Sequence, residues 1–111
     1  MLTNEAGAAL ELEALVELED LEEAALENRA VRKAHSYRIR IDRVQYLVKV
    51  HEMTGRQILE LAGKTPPETW QLWQYHGKHK HLVALDEVVN FCAPGVERFV
   101  TLPLDQTDGL V

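Results

Sequence analysis

The hydrophobic period of this chain changes at Ser36, and that switch constrains the fold more than any other feature. Before it, from Glu5 to about Val31, the chain is rich in Ala, Leu and Glu. Ala14, Leu18, Leu21 and Ala25 fall at helical spacing, and Leu10, Leu15 and Leu26 widen the stripe. After it, Tyr37, Ile39 and Ile41 alternate with Arg38, Arg40 and Asp42, the period of a half-buried strand. The pattern predicts one amphipathic helix leading into a strand-rich domain.

Charge changes at the same place. Residues 1–28 hold nine acids and no Lys or Arg, whereas residues 29–111 hold twelve bases against nine acids. The net charge of −6 therefore averages an acidic arm and a mildly basic domain, with a boundary near Arg29 to His35. So weak a positive balance, beside an acidic arm, makes the chain a poor candidate for phosphate-dominated nucleic-acid binding. The Glu-rich helix face can lie against basic residues such as Arg38, Arg40 and Lys49, and its Ala/Leu stripe suits self-association.

The rest of the chain punctuates itself. A polar turn at Asp42-Arg43 joins strands expected at 36–42 and 44–51, with Val44, Tyr46, Val48 and Val50 on one face and Leu47 on the other. Thr54-Gly-Arg-Gln57 is a capping-box signature and starts a helix whose buried face is expected to be Ile58, Leu61 and Ala62. Gly63 closes that helix, and Pro66-Pro67 prevents its continuation. Thr69 to Tyr75 and His79 to Leu85 read as strands around a His76-Gly77-Lys78 turn. A short apolar element at Val88 to Phe91 and the Pro94-Gly95 turn precede a last strand, Val96 to Leu104, with Phe99 and Thr101 on one face.

Few residues invite chemistry. The sole cysteine, Cys92, rules out an intrachain disulfide and has no histidine or base near it in sequence before Arg98; it reads as a small apolar packing residue. His76, His79 and His81 match no structural zinc spacing, and Lys78 and Lys80 interleave positive charge, so no metal is expected. His35 and His51 sit singly at element ends. Trp70 and Trp73 point to opposite faces of a strand, so at most one belongs to the main core. With no phosphate loop, serine elbow or paired catalytic carboxylates, an enzyme is not expected, nor a cofactor. No apolar run is long enough for a transmembrane helix and no secretory start is visible, which predicts a cytoplasmic protein.

The residues after Leu104, Asp105-Gln-Thr-Asp-Gly-Leu-Val111, form a polar tail with no apolar face. Gly109 lacks a Cβ, so its backbone can thread a narrow channel and present its carbonyl to a nucleophile.

The order of strand, strand, capped helix, prolines, strand, short strand, short helical turn, strand and tail resembles the ubiquitin-like β-grasp. Tyr37 to Leu104 resembles, more specifically, the bacterial ubiquitin-like proteins called multiubiquitin domains. The stretches that carry the likeness are Thr54-Gly-Arg-Gln-Ile-Leu-Glu-Leu-Ala-Gly63, Asp86-Glu-Val-Val-Asn-Phe91 and Gly95-Val-Glu-Arg-Phe99. The resemblance implies an α+β fold, a mixed sheet of four to five strands packed on one helix. It divides the chain into an acidic helical extension (1–35), a β-grasp domain (36–104) and a flexible tail (105–111).

It also implies a modifier served by three partners in a bacterial, in some lineages antiviral, pathway. A JAMM-type metallopeptidase would cut after Gly109, removing Leu110 and Val111. An activating enzyme would adenylate the Gly109 carboxylate with ATP, and a conjugating enzyme would pass it to target proteins. Asp108-Gly109 stands where Gly-Gly is usual, and only one β-grasp unit is present. Two alternatives use the same residues differently: a non-conjugated interaction module working through the β-grasp surface and acidic helix, and a sulfur carrier ending in a thiocarboxylate.

Overall fold

The computed structural model describes residues 15–104. Its centre is β2 (Ala34–Ile41), whose alternating pattern buries Tyr37, Ile39 and Ile41 and turns Arg38 and Arg40 outward. A two-residue turn at Asp42-Arg43, as the sequence predicts, returns the chain as β3 (Val44–Val48), antiparallel to β2 from Ile41↔Val44 to Tyr37↔Val48. Asp42 takes a left-handed φ of 57°, a conformation that Asp tolerates better than most side chains. β3 stops short of the expected end at residue 51, and of the four residues placed on one face Val48 is buried, Tyr46 packs partly against the core and Val44 and Val50 are exposed.

The other edge of β2 is shared by two parallel strands. β8 (Arg98–Pro103) meets only its last residue, at Ile41↔Phe99. β1 (Val16–Asp20) lies along its first half, from Val16↔Ala34 to Asp20↔Arg38. Beyond β8 come β5 (Trp70–His76) and β6 (His79–Val83), each antiparallel to its neighbour. These six strands form one mixed sheet, and β4 (Glu52–Thr54) pairs with β7 (Val88–Asn90) in a separate two-stranded ribbon. The fold is α+β and compatible with a β-grasp, with one strand more in its main sheet than the four to five expected.

That extra strand corrects the prediction of a continuous helix from Glu5 to Val31. Val16–Asp20 are a strand, and only Leu21–Leu26 (α1) are helical within the described part of that segment. The expectation for residues before Leu15 lies outside the described residues. Two local signals shorten the helix. The Asp20 carboxylate caps its start by accepting from the Glu23 N–H (3.0 Å). Asn28, at φ 57°, ends it with bonds from Asn28 N to Ala25 O and Arg29 N to Ala24 O, a Schellman turn. The segment before Asp20 gains more from the open edge of β2 than from continuing a helix whose face is crowded with carboxylates. The buried pair is Leu21 and Ala24, three apart, while Leu26 of the expected stripe is 71% exposed.

Glu19 of β1 is fully buried beside Tyr37. Arg29 donates to it from Nη1 (2.7 Å) and Nη2 (3.1 Å), and Arg32 from its backbone N (2.8 Å), Nε (3.3 Å) and Nη2 (3.1 Å). Burial pushes the carboxyl pKa up, but these bonds outweigh it and hold the group at about 2. The anticipated charge pairing is partly realised: Arg38 reaches Asp20 (3.4 Å) and Arg40 reaches Glu22 (2.7 Å), while Lys49 makes no salt bridge among the described residues.

α2 (Gly55–Leu61) begins at the predicted capping box, with Gln57 N donating to Thr54 Oγ1 (3.2 Å) and Thr54 N to Gln57 Oε1 (2.9 Å). It ends in a second Schellman turn, Lys64 N to Leu59 O and Gly63 N to Glu60 O, with Gly63 at φ 74°. Ile58 and Leu59 are buried, whereas Leu61, expected inward, is 36% exposed. A helix this short packs against β4, β5 and the 3-10 turn Pro67–Thr69 together, and those contacts outweigh its own periodicity. A Cβ at Gly55 would collide with the Ala84 carbonyl, so this helix start can approach the β6–β7 connection only as glycine. The core closes with Leu72, Val83, Val89, Phe91, Val96 and Phe99.

Candidate functional site

Gly109, Asp108, Leu110 and Val111 lie outside the described residues; what the structure describes is the strand that delivers them. β8 is held by β5 over six residues, from Trp70↔Pro103 to Tyr75↔Arg98. Asp42 clamps it from the other side: Thr101 donates from N to Oδ1 (2.9 Å) and from Oγ1 to Oδ2 (2.7 Å), and Asp42 N donates to Phe99 O (2.8 Å). Leu104 N donates to Thr69 O (2.8 Å), fixing the point where the strand ends. Phe99 and Thr101 share one face, as expected, and the structure turns that face inward.

The outer sheet face carries a mixed patch. Trp73 stands between Leu82 of β6 and Val100 of β8, with Leu102 one pair further along. Leu82 and Leu102 are 46% and 48% exposed, and Leu47 of β3 is 56%. Two cations sit over the aromatic rings, Lys80 Nζ 5.1 Å from Trp73 and Arg98 Cζ 4.5 Å from Tyr75. Trp70 packs instead against the core, beneath Lys64 Nζ at 4.7 Å, so the two tryptophans divide between faces as their spacing predicts. His76 and His79 are cross-strand partners. His81 bonds Glu87 (2.7 Å); the Ala84 N–H and then His81 hold that carboxyl below the usual range. Among the described residues no group of three or more His, Cys, Asp or Glu could hold a metal ion.

A second constellation had no trace in local sequence. Tyr37 of β2, His51 from the β3–β4 connection and Cys92 just past β7 converge, although Cys92 is 41 positions from His51 and 55 from Tyr37. The Tyr37 hydroxyl accepts from Ala34 N (3.0 Å) and lies 2.9 Å from Cys92 Sγ and 3.2 Å from His51 Nδ1. Sγ and Nδ1 are 3.9 Å apart. Burial pushes the Tyr37 hydroxyl up to about 12, with the Cys92 contact adding to the shift. Cys92 is only half-buried and lines two pockets, one of about 440 Å³ with Lys33, His51, Glu52 and Asn90, the other of about 360 Å³ with Arg29, His76 and Gly95. Cys92 packs against the core as expected, and in addition it has Tyr37 and His51 as polar neighbours. Tertiary contacts supply the partners, and sequence offers no signal for them beyond the presence of the three residue types.

Residues 37–103, from the middle of β2 to the last residue of β8, match the family described as multiubiquitin. The chain belongs to the multiubiquitin family. No curated protein and no solved structure matches it. The multiubiquitin match takes in the second part of β2, β3 to β8 and α2, and it leaves β1, α1 and the Arg29–Glu19 linkage outside. It also contains the Asp42 clamp, the outer face around Trp73 and all three members of the Tyr37–His51–Cys92 cluster.

Proposed function

We propose that this chain is a ubiquitin-like modifier whose working group is the carboxylate of Gly109, exposed when a JAMM-type metallopeptidase cuts after that residue. An ATP-dependent activating enzyme adenylates the carboxylate and a conjugating enzyme transfers it to target proteins, in a bacterial ubiquitination-like and antiviral pathway in the cytoplasm. The modifier itself supplies no catalytic group. The reading rests first on the multiubiquitin match, with the anchored end of β8 as physical support. From Leu104, the stretch Asp105 to Gly109 can span roughly 16 Å when extended, enough to enter an enzyme cleft while the sheet remains outside. Intact mass after incubation with such a peptidase, activating enzyme and ATP tests it. Cleavage after Gly109 followed by an adenylate or enzyme-linked species is expected, and an unchanged mass with active partners overturns the reading.

The face formed by half-buried Trp73 and exposed Leu82 and Leu102 favours one alternative, a module that binds partners without being conjugated. Under it, Gly109→Ala leaves function intact while Trp73→Ala removes it. The acidic segment contributes less to that alternative than its charge suggests, because Asp20 and Glu22 are already paired with Arg38 and Arg40.

A further inference from the structure

We propose that Cys92 is a modification site: a thiol assisted by His51 through the Tyr37 hydroxyl, which exchanges with small acidic disulfides. Three side chains from separate parts of the fold meet at one sulfur that opens onto a pocket, an arrangement that core packing does not require. The Tyr37 oxygen already accepts the Ala34 N–H, and it can also accept the Cys92 S–H while donating its own proton to His51 Nδ1. Along that line the thiol proton passes to the imidazole in one concerted shift, and the tyrosine ends as it began, a neutral phenol. This matters because the free phenolate is disfavoured at this buried oxygen.

The Cys92 thiolate then attacks one sulfur of the incoming disulfide. The Sγ–S bond forms, the original S–S bond breaks, and the departing thiolate takes the proton back from the His51 imidazolium. The net reaction converts one thiol and one disulfide into a mixed disulfide and a new thiol, with no other oxidant. The about 440 Å³ pocket admits a peptide-sized partner rather than only a peroxide. The charged and titratable groups lining that pocket are Lys33, His51 and Glu52; Arg29 in the other pocket is already paired with Glu19, Glu23 and Glu27. Once His51 has taken the thiol proton, Lys33 and His51 outweigh Glu52 in the pocket, which suits a ligand carrying carboxylates.

Glutathione disulfide is the probe, read by intact mass of the full chain at neutral pH. One glutathionyl adduct is expected. Because His51 is exposed, His51→Ala should leave the fold unchanged, and the adduct should form roughly tenfold more slowly. Added imidazole should restore the rate in that variant, which a merely structural role for His51 would not produce. Tyr37→Phe should slow the reaction similarly with its circular dichroism preserved. Lys33→Glu should slow glutathione disulfide but not the uncharged 2-hydroxyethyl disulfide. If His51→Ala reacts as fast as the unmodified chain, or imidazole restores nothing, the proposal is wrong. It is equally wrong if the folded chain forms no adduct while the urea-unfolded chain does. None of these outcomes depends on Gly109, so they stand apart from the modifier reading.

Discussion

Glu19 is a wholly buried carboxylate held by five hydrogen bonds from Arg29 and Arg32, and its pKa of about 2 makes it a determinant of acid stability. A carboxyl depressed from 4.5 in the unfolded chain to about 2 contributes fully above the unfolded value and loses its contribution as pH falls through the folded one. Urea unfolding should therefore show about 3 kcal/mol disappearing between roughly pH 4.5 and 2, and a Glu19→Gln variant should lack most of that loss. Asp42 is a second node, combining a left-handed backbone with two bonds to Thr101. Asp42→Ala should cost about 2–3 kcal/mol in thermal unfolding, and Asp42→Asn less, because Asn tolerates the same φ and keeps an acceptor.

Among the elements, α2 was the most legible, α1 was legible as helix but not in its bounds, and β1 was the least legible. Thr54, Gln57, Gly63 and Pro66-Pro67 bracket α2 in the sequence, and each occupies the role its chemistry predicts. Asp20, Glu23 and Asn28 bracket α1 in the same manner, but the Ala/Leu/Glu composition around them masks the signal. β1 could not be read locally at all, because its partner edge exists only once β2 and β8 have been placed. Glycine at position 55 belongs to this scale as well. Gly55→Ala should force α2 away from the Ala84 carbonyl and lower stability by about 1–3 kcal/mol, measured by denaturant midpoint at unchanged m-value.

At the scale of the molecule, the β1–α1 unit extends a multiubiquitin core and docks through Leu21, Ala24 and the Glu19 linkage. Leu21→Ala should cost about 2–4 kcal/mol. Hydrogen exchange should then rise in β1 before it rises in β5 and β8, since the outer unit can open while the centre stays closed. The outer face is the other feature that only the whole sheet assembles. Under the proposed modifier reading, Trp73→Ala should weaken binding in a pull-down with the activating enzyme while leaving the melting temperature within a few degrees, because the ring is not part of the buried core.

The sequence alone determined the β2–β3 hairpin and its Asp42-Arg43 turn, the capped α2, the shared face of Phe99 and Thr101 and the division of the two tryptophans, because each follows from period, cap or turn chemistry within a few residues. Tertiary structure decided the rest. Val16–Asp20 became a strand because an unpaired edge of β2 was available, Glu19 could be buried because Arg29 and Arg32 return to it, and Cys92 gained His51 and Tyr37 because three separated segments converge. Such outcomes depend on contacts between positions far apart in the chain, whose free energies exceed the local preferences that a sequence displays.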